Sequence, residues 1–317
     1  MPDRKDCVVI TDVTLREYGQ NIPEGFLHIF NPEIRVEITS RLIDAGFKNV
    51  EILSCIHPKI APAMNQEALK KIASELGKIQ GVNLITLVPN KAGYRNFLEN
   101  GFGPDCYDHT MSIFFSAVEA HNLANLGRPI KATIEDYRSI LEDASSRGIR
   151  TIAYISAAFG YMDPVSGQTL QANLDEINQY MDLLLNMGVK TVTLTDLQGV
   201  ADEKETRRIL ETILSKRKGK QIDKLGYHPH HISGEKAIAN SVVVYLLGLR
   251  RFDSSLGGTG GCITGAPGNQ PTEGLFRHFT ATGIETGLNG DRISSLANMI
   301  QTELYTKISL GSARNRS

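Results

Sequence analysis

The chain has 317 residues, and its 34 Lys and Arg residues against 35 Asp and Glu residues give a formal net charge of −1. This length can bury a large core, and a charge balance without long single-sign blocks excludes nucleic acid and membrane surfaces as expected partners. With no apolar run long enough for a bilayer, no signal or transit peptide and four cysteines without CxxC spacing, the sequence predicts a cytoplasmic protein with reduced thiols.

Eight segments are predicted to be strands, with helical sequence between successive strands. They cover residues 7–15, 49–54, 82–88, 107–115, 151–156, 191–196, 224–230 and 252–255. Five of them follow an amphipathic helix that ends at a glycine and an apolar residue, which is typical of a chain that leaves a helix and turns back. This alternation predicts an α/β fold with parallel strands, and the count of eight favours a (β/α)8 TIM barrel over an open doubly wound sheet. The first strand is not followed by GxGxxG, which disfavours dinucleotide binding further.

The chain shows no linker that would mark a second domain. We therefore predict a single catalytic domain over residues 1–317, with the barrel at about 7–290 and a C-terminal helix and tail at about 291–317. The additional helix is expected at 292–310, followed by a polar tail.

Two histidines at the end of the seventh strand, His228 and His230, indicate a metal site. Side chains two residues apart on a strand point the same way, and two imidazoles on one face suit a divalent ion. Alone, such a pair is more often a solvated strand end. In a barrel, however, the carboxyl ends of all strands meet at one face. Other polar residues occupy these strand ends: Arg16, Glu17, Gln20, Glu51, Ser54, Tyr154, Asp196 and the glycine-rich loop 257–269.

In their order along the chain, these residues resemble the DRE-TIM metallolyases, most closely the 3-hydroxy-3-methylglutaryl-CoA lyases. The resemblance runs from about residue 8 to about residue 280. Its motifs are Arg16-Glu17 with Gln20, His228-Pro-His230, Asp253-Ser-Ser255, Gly260-Gly-Cys262 and Gly268-Asn269. Each motif is weak alone, whereas the ordered set is specific.

The resemblance implies an Mg2+ or Mn2+ ion held by Glu17, His228, His230 and Asn269 and an acyl-CoA or related small-molecule substrate, and it is compatible with a homodimer. The implied reaction is a retro-Claisen cleavage of a 3-hydroxy-3-methylglutaryl-CoA-like thioester to acetyl-CoA and a 3-oxo acid. The implied catalytic residues are Arg16, which would stabilise the enolate, Cys262, which would protonate it, and Asp196 or the metal-linked His228 as the base. Gln20, Glu51, Ser54 and Tyr154 are predicted to contact the substrate.

Simpler structural roles remain open for several of these residues. Arg16 and Glu17 could form only a strand-end ion pair, and Asp196 could cap the next helix or hold a turn. Cys262 could be a small residue in a tight loop. Glu51 and Ser54 could do no more than orient their neighbours.

The first-strand motif departs from the family pattern. The lyases have Arg-Asp-Gly where this chain has Arg16-Glu17-Tyr18. Glutamate is one methylene longer than aspartate, so the ion would shift by about 1 Å, and the ring of Tyr18 is expected to narrow the pocket beside the metal. The alternatives are therefore a Claisen-condensing synthase like isopropylmalate or citramalate synthase, an aldolase acting on a 2-oxo acid, and a metal-free scaffold barrel.

Overall fold

The structure is a computed structural model that describes residues 7–217, 219–230, 233–260 and 268–308. The strands are β1 (Val9–Asp12), β2 (Asn49–Ser54), β3 (Asn83–Leu87), β4 (Thr110–Ser116), β5 (Thr151–Ser156), β6 (Tyr161–Met162), β7 (Thr169–Leu170), β8 (Val192–Asp196), β9 (Leu225–Pro229) and β10 (Arg251–Ser254). Eight of them form a closed parallel barrel in the order β1-β10-β9-β8-β5-β4-β3-β2. The predicted barrel fold is confirmed.

Helices surround the barrel and fill the connections between its strands. They are α1 (Thr14–Gly19), α2 (Pro32–Asp44), α3 (Gln66–Leu76), α4 (Lys91–Glu99), α5 (Glu119–Leu126), α6 (Ile130–Ser146), α7 (Leu174–Asn186), α8 (Glu203–Leu214), α9 (Gly234–Leu246), α10 (Thr272–Ala281) and α11 (Gly290–Met299). A π-helical turn, Ile300–Tyr305, continues α11. No helix in these described ranges is long and apolar enough to cross a membrane.

The glycines that end the helices return the chain to the barrel as predicted. Gly46 follows α2 with a φ of 106°. A Cβ at this position would lie 2.4 Å from the carbonyl oxygen of Gly287, so both the backbone conformation and the close approach require glycine. The predicted glycines before the other strands, Gly101, Gly148, Gly188 and Gly248, also have positive φ.

The first strand is shorter than the predicted 7–15, and this difference matters for the site. It ends at Asp12, whose carboxylate accepts hydrogen bonds from the backbone N–H of Thr14 (3.1 Å) and from its hydroxyl (2.7 Å). This local bonding diverts the backbone from the sheet into α1. Arg16 and Glu17 therefore lie on a short, fully buried helix and not on a strand end.

The antiparallel hairpin of β6 and β7 was not predicted. Its two strands have only two residues each and pair Tyr161 with Leu170. Segments this short carry no readable alternation of apolar and polar residues, so periodicity could not reveal them.

The predicted C-terminal helix is confirmed, and it packs against the barrel mouth. Asn289 caps α11 by accepting a hydrogen bond from the backbone N–H of Arg292 at 3.0 Å. Farther along, the hydroxyl of Tyr305 accepts a hydrogen bond from the backbone N–H of Gly260 at 2.9 Å. The C-terminal segment is thus bonded to the start of the glycine-rich loop.

A buried histidine beside the hairpin makes stability depend on pH. Both ring nitrogens of His121 lack hydrogen-bond partners within the described structure, and its ring lies 4.9 Å from that of Tyr161. Burial lowers the pKa of His121 from 6.5 to about 4. The unfolded chain therefore binds a proton that the folded chain does not, and folded stability falls as pH drops from about 6.5 towards 4.

We expect His121→Phe to keep the aromatic packing and remove this proton linkage. At pH 5 the variant should retain about 2 kcal/mol of unfolding free energy that the wild type loses on going from pH 7.5. Urea unfolding at the two pH values measures this difference. The exposed His28 offers a matched control, since His28→Gln should keep the wild-type pH dependence. Parallel pH profiles for His121→Phe and wild type would contradict the prediction.

Candidate active site

Three buried side chains converge at the carboxyl end of the barrel. Glu17 comes from α1, and His228 and His230 come from the end of β9 and the residue after it. One donor atom from each lies within 4.8 Å of the donor atoms of the other two. The predicted placement of the two imidazoles on one side of the strand is thus what the structure shows.

The spacing of these donors fits a single divalent ion. The Nε2 atoms of His228 and His230 are 3.2 Å apart, and His228 Nε2 is 3.7 Å from Glu17 Oε1. Two ligands at about 2.1 Å from an octahedral ion and at right angles to each other lie about 3 Å apart. Imidazole nitrogen and carboxylate oxygen together suit a divalent metal ion.

The carboxylate of Asp253 orients one of the imidazoles. Its Oδ2 atom lies 3.0 Å from His228 Nδ1. A carboxylate at this nitrogen favours the tautomer that carries the proton on Nδ1, which leaves the Nε2 lone pair free for an ion. Strand register explains the contact. Phe252 of β10 pairs with Tyr227 of β9, and because the strands are parallel, the following residues, Asp253 and His228, also lie side by side.

Asn269, the fourth predicted ligand, lies next to the triad. It forms an antiparallel β-bridge with His230, and its side-chain Nδ2 donates to the carbonyl oxygen of Thr259 at 2.9 Å. Because the amide nitrogen is engaged in this way, the side-chain oxygen is the group left for an ion. Gly260 packs tightly against both Asn269 and Glu17. A Cβ at this position would lie 3.0 Å from Asn269 Nδ2 and 2.5 Å from Glu17 Cβ.

A buried guanidinium lies between two carboxylates beside the triad. Arg16 donates from Nε to Glu51 Oε2 at 2.6 Å and from Nη1 to Glu17 Oε1. The other oxygen of Glu51 accepts from Ser112 Oγ at 2.5 Å. Burial alone would raise the pKa of Glu17, but the charges of Arg16, His230 and His228 together lower it below its ordinary value. Glu17 is therefore ionised, which is the form that a metal ion would bind.

Arg16 and the three residues of the triad border a pocket of about 70 Å³ at the barrel mouth. Of the predicted substrate contacts, Gln20 and Tyr154 line it, and the buried Nε2 atom of Gln20 has no hydrogen-bond partner within the described structure. Sequence reasoning did not assign a role to several further lining residues: Ile56, Leu87, Phe114, Asn125, Ser156, Thr195 and Leu197. Most follow or end barrel strands, so position at a strand end was the signal available.

Four of the predicted site residues in the described part of the chain do not line this pocket: Glu51, Ser54, Asp196 and Asn269. Glu51 instead bonds to Arg16 and Ser112. Both carboxylate oxygens of Asp196 accept backbone N–H bonds, from Val200 at 3.0 Å and from Ala201 at 3.2 Å. Ser54 is fully buried, and its hydroxyl accepts from the backbone N–H of Ile56 at 3.3 Å. These contacts match the alternative roles of a turn residue and a residue that orients its neighbours. Cys262 lies outside the described residues.

The expectation that Tyr18 narrows the pocket is wrong. Its ring is buried against Phe30 (centroids 5.3 Å apart) and Tyr305 (4.7 Å), and it is not among the lining residues. The reason is the helical geometry of α1, in which successive residues project in directions about 100° apart. Glu17 faces the site, and Tyr18 packs against the C-terminal segment.

We expect Asp253→Asn to weaken divalent-ion binding by about 10- to 100-fold, because loss of a carboxylate behind a ligating histidine has that typical effect. Titration with Mn2+, followed by electron paramagnetic resonance of the free ion, measures the dissociation constant. Asp105→Asn, a change at an exposed aspartate, should leave the constant unchanged. An unchanged Mn2+ affinity in Asp253→Asn would show that His228 does not depend on Asp253.

Comparison with known proteins agrees with the geometry. A family model described as HMGL-like matches residues 7–300. Hydroxymethylglutaryl-CoA lyase YngG of Bacillus subtilis is 29% identical over 301 residues, which cover 94% of this chain and 93% of that protein.

Two solved structures share the fold. The HMG-CoA lyase of Bacillus subtilis superposes with a TM-score of 0.80 at 26% identity, covering 96% of this chain and 94% of that chain. An HMG-CoA lyase from Acenitobacter baumannii, solved in complex with coenzyme A and 3-methylmalate, superposes with a TM-score of 0.82 at 24% identity, covering 96% and 93%.

Proposed function

Because the chain belongs to the HMGL-like family, we propose that it is a divalent-metal-dependent carbon–carbon lyase. The proposed reaction cleaves a 3-hydroxy-3-methylglutaryl-CoA-like thioester to acetyl-CoA and a 3-oxo acid. The observation that carries this proposal is the cluster of Glu17, His228 and His230 beside Arg16 at the barrel mouth. One pocket thus contains candidate metal ligands and the positively charged Arg16, which the relatives' named activity would require.

The ion would be held by Glu17, His228, His230 and the side-chain oxygen of Asn269. When bound, Mg2+ or Mn2+ would acidify the substrate hydroxyl and orient the acyl chain. The mixed set of one carboxylate, two imidazoles and one amide supports this assignment, and it leaves coordination positions for substrate oxygens.

Arg16 supplies the fixed positive charge of the reaction. When the carbon–carbon bond breaks, its electron pair moves into the thioester fragment and forms an enolate oxygen. The neighbouring carboxylates Glu17 and Glu51 hold the guanidinium in place, and its remaining N–H groups are donors for that oxygen. Burial would lower the pKa of Arg16, but the two carboxylates raise it overall, so the charge is permanent.

The substrate hydroxyl must lose its proton before the bond breaks. Burial raises the pKa of Asp196 to about 6, which leaves the group mostly ionised at neutral pH and able to accept a proton. Its charge therefore supports the role of base, whereas its bonds to Val200 and Ala201 support a role in the loop. His228 faces the pocket directly.

Cys262 is proposed as the acid that donates a proton to the enolate carbon and so releases acetyl-CoA. We expect Cys262→Ala to lower turnover by about 10²- to 10⁴-fold, the usual contribution of a general acid, and to leave metal content intact. Single-turnover cleavage and metal analysis of the same preparation measure the two quantities. Cys55→Ala is the matched control, because this buried thiol does not line the pocket. Turnover near the wild-type rate in Cys262→Ala would remove the cysteine from the mechanism.

The proposed substrate class follows from the relatives. The curated relative is named a hydroxymethylglutaryl-CoA lyase, and one neighbour binds coenzyme A and 3-methylmalate. In this chain, the ring of Tyr154 and the Nε2 atom of Gln20, which has no hydrogen-bond partner in the described part of the chain, are available to the acyl group at the pocket wall. We further propose a cytoplasmic enzyme, with a homodimer as the assembly to test by light scattering.

The decisive experiment incubates the purified, Mn2+-loaded protein with 3-hydroxy-3-methylglutaryl-CoA and detects acetyl-CoA by mass spectrometry. Cleavage that is lost on chelation and restored by Mn2+ supports the proposal. A protein that binds no stoichiometric divalent ion would instead be a scaffold barrel. Formation of a new carbon–carbon bond from acetyl-CoA and a 2-oxo acid, without cleavage, would identify the synthase alternative.

A further inference from the structure

A second polar cavity opens at the opposite end of the barrel from the metal triad. It has a volume of about 200 Å³ and is lined by residues at or just before the amino-terminal starts of strands, among them Asn49, Asn83 and Thr110. Catalytic groups of barrel enzymes lie at the carboxyl ends of the strands, so the chemistry proposed above makes no use of this cavity.

Three cationic side chains line the cavity. Arg150 forms an ion pair with the carboxylate of Asp108, in which Nη1 lies 3.2 Å from Oδ1. Lys190 and Arg251 form no ion pair with any carboxylate of the described residues. The half-buried Arg251 and the exposed Lys190 thus line one cavity without an ion-pair partner among the described residues.

Arg251 is half-buried, and its guanidinium has few hydrogen-bond partners among the described residues. Its Nε donates to the backbone carbonyl of Asp223 at 2.9 Å, and no other acceptor of its guanidinium is found among the described residues. Burial lowers the pKa of Arg251 below its ordinary value, although the charges of Asp223 and Asp253 partly oppose this effect. An anion in the cavity would offset the burial of this charge.

Neutral donors complete the lining. Asn83 Nδ2 donates to Asn49 Oδ1 at 2.9 Å, which leaves the amide nitrogen of Asn49 as a donor. The hydroxyls of Thr11 and Thr191 also line the cavity. The single acidic lining residue, Asp253, has its Oδ2 beside His228 Nδ1. Guanidinium, ammonium, amide and hydroxyl donors in one space are the groups that bind phosphate oxygens.

We propose that this cavity binds a phosphate dianion, either inorganic phosphate or the phosphoryl group of a small ester, between Arg251 and Lys190. The side chains of Asp253 and Tyr154 lie between this site and the metal triad, and phosphate binding does not depend on the proposed lyase activity. An occupied site would stabilise the folded chain according to the phosphate concentration, because the ligand binds the folded state alone.

Isothermal titration of the Mg2+-loaded protein at fixed ionic strength tests the site, with inorganic phosphate, glycerol 3-phosphate and sulfate as separate titrants. We expect one saturable phosphate site per chain. Arg251→Gln removes a charged hydrogen-bond donor and should raise the apparent dissociation constant for phosphate about tenfold. Lys190→Gln, at a more exposed position, should raise it about threefold. Tighter binding of glycerol 3-phosphate than of phosphate would identify an ester as the ligand.

Two control variants test whether phosphate binds in this cavity and not elsewhere on the protein. Arg95→Gln removes an exposed cation on α4 and should leave binding unchanged. Glu17→Ala alters the metal triad and should likewise leave phosphate binding unchanged. Phosphate binding that is absent in wild type, or that persists in the double variant Lys190→Gln and Arg251→Gln, would overturn the proposal. Loss of phosphate binding in Glu17→Ala would also overturn the proposal, because it would place the anion in the pocket beside the metal triad. If Arg251→Gln does not fold, the exposed Lys190→Gln still provides the test.

Discussion

Arg16→Lys is expected to lower kcat by about 10²- to 10³-fold, which is the usual cost of removing a preorganised donor to a developing oxyanion. The physical reason is geometric. Arg16 uses Nε for Glu51 and Nη1 for Glu17, and its planar fork still presents further N–H groups. A lysine ammonium keeps the positive charge but cannot hold both carboxylates and the enolate oxygen in fixed directions. Steady-state cleavage of the thioester measures the effect.

Measurements of KM and of the Mn2+ dissociation constant distinguish a catalytic role of Arg16 from a purely structural one. If Arg16 acts on the transition state, kcat falls while KM and the Mn2+ dissociation constant stay within about threefold of wild type. Arg138→Lys, at a partly exposed position on α6, is the matched control and should be fully active. A variant Arg16→Lys that retains wild-type kcat would leave the arginine as no more than the partner of an ion pair.

Glu17→Ala is expected to weaken Mn2+ binding by more than about 100-fold, since even removal of a group behind a ligand costs 10- to 100-fold. Glu17 is the one carboxylate in the cluster, and it is ionised because Arg16 and the two imidazoles overcome the effect of burial on its pKa. Its loss removes both a ligand and a negative charge that attracts the dication. Calorimetric titration of the chelator-treated protein with Mn2+ gives the constant.

The aspartate variant tests whether the unusual length of this ligand matters. Glu17→Asp restores the residue that the resembling lyases have, and we expect it to bind Mn2+ within about tenfold of wild type. Glu33→Ala, at an exposed position on α2, controls for a general loss of negative charge. Equal Mn2+ affinity in wild type and Glu17→Ala would remove Glu17 from the ligand set, and far-UV circular dichroism would show whether the variant is folded.

Local patterns predicted more of the fold than of the contacts within the site. The alternation of strands and helices, with glycines such as Gly46 and Gly188 at the turns, was sufficient for the barrel because each signal depends on neighbouring residues. The placement of His228 and His230 on one side followed from the two-residue period of a strand. The start of the chain was less readable, because Asp12 bonds to Thr14 and ends the strand earlier than its apolar sequence suggests.

The sequence alone determined the closed parallel barrel and the group of polar residues at its carboxyl end, because backbone propensity and side-chain period are local properties. Tertiary structure decided which of these residues meet. The contact of His228 with Asp253 joins residues 25 positions apart, and that of Arg16 with Glu51 joins residues 35 positions apart. Both depend on strand register and barrel closure. The helical turn of α1 directs Tyr18 away from the pocket, and barrel closure brings Lys190 and Arg251, which have no ion-pair partner in the described ranges, to the opposite mouth.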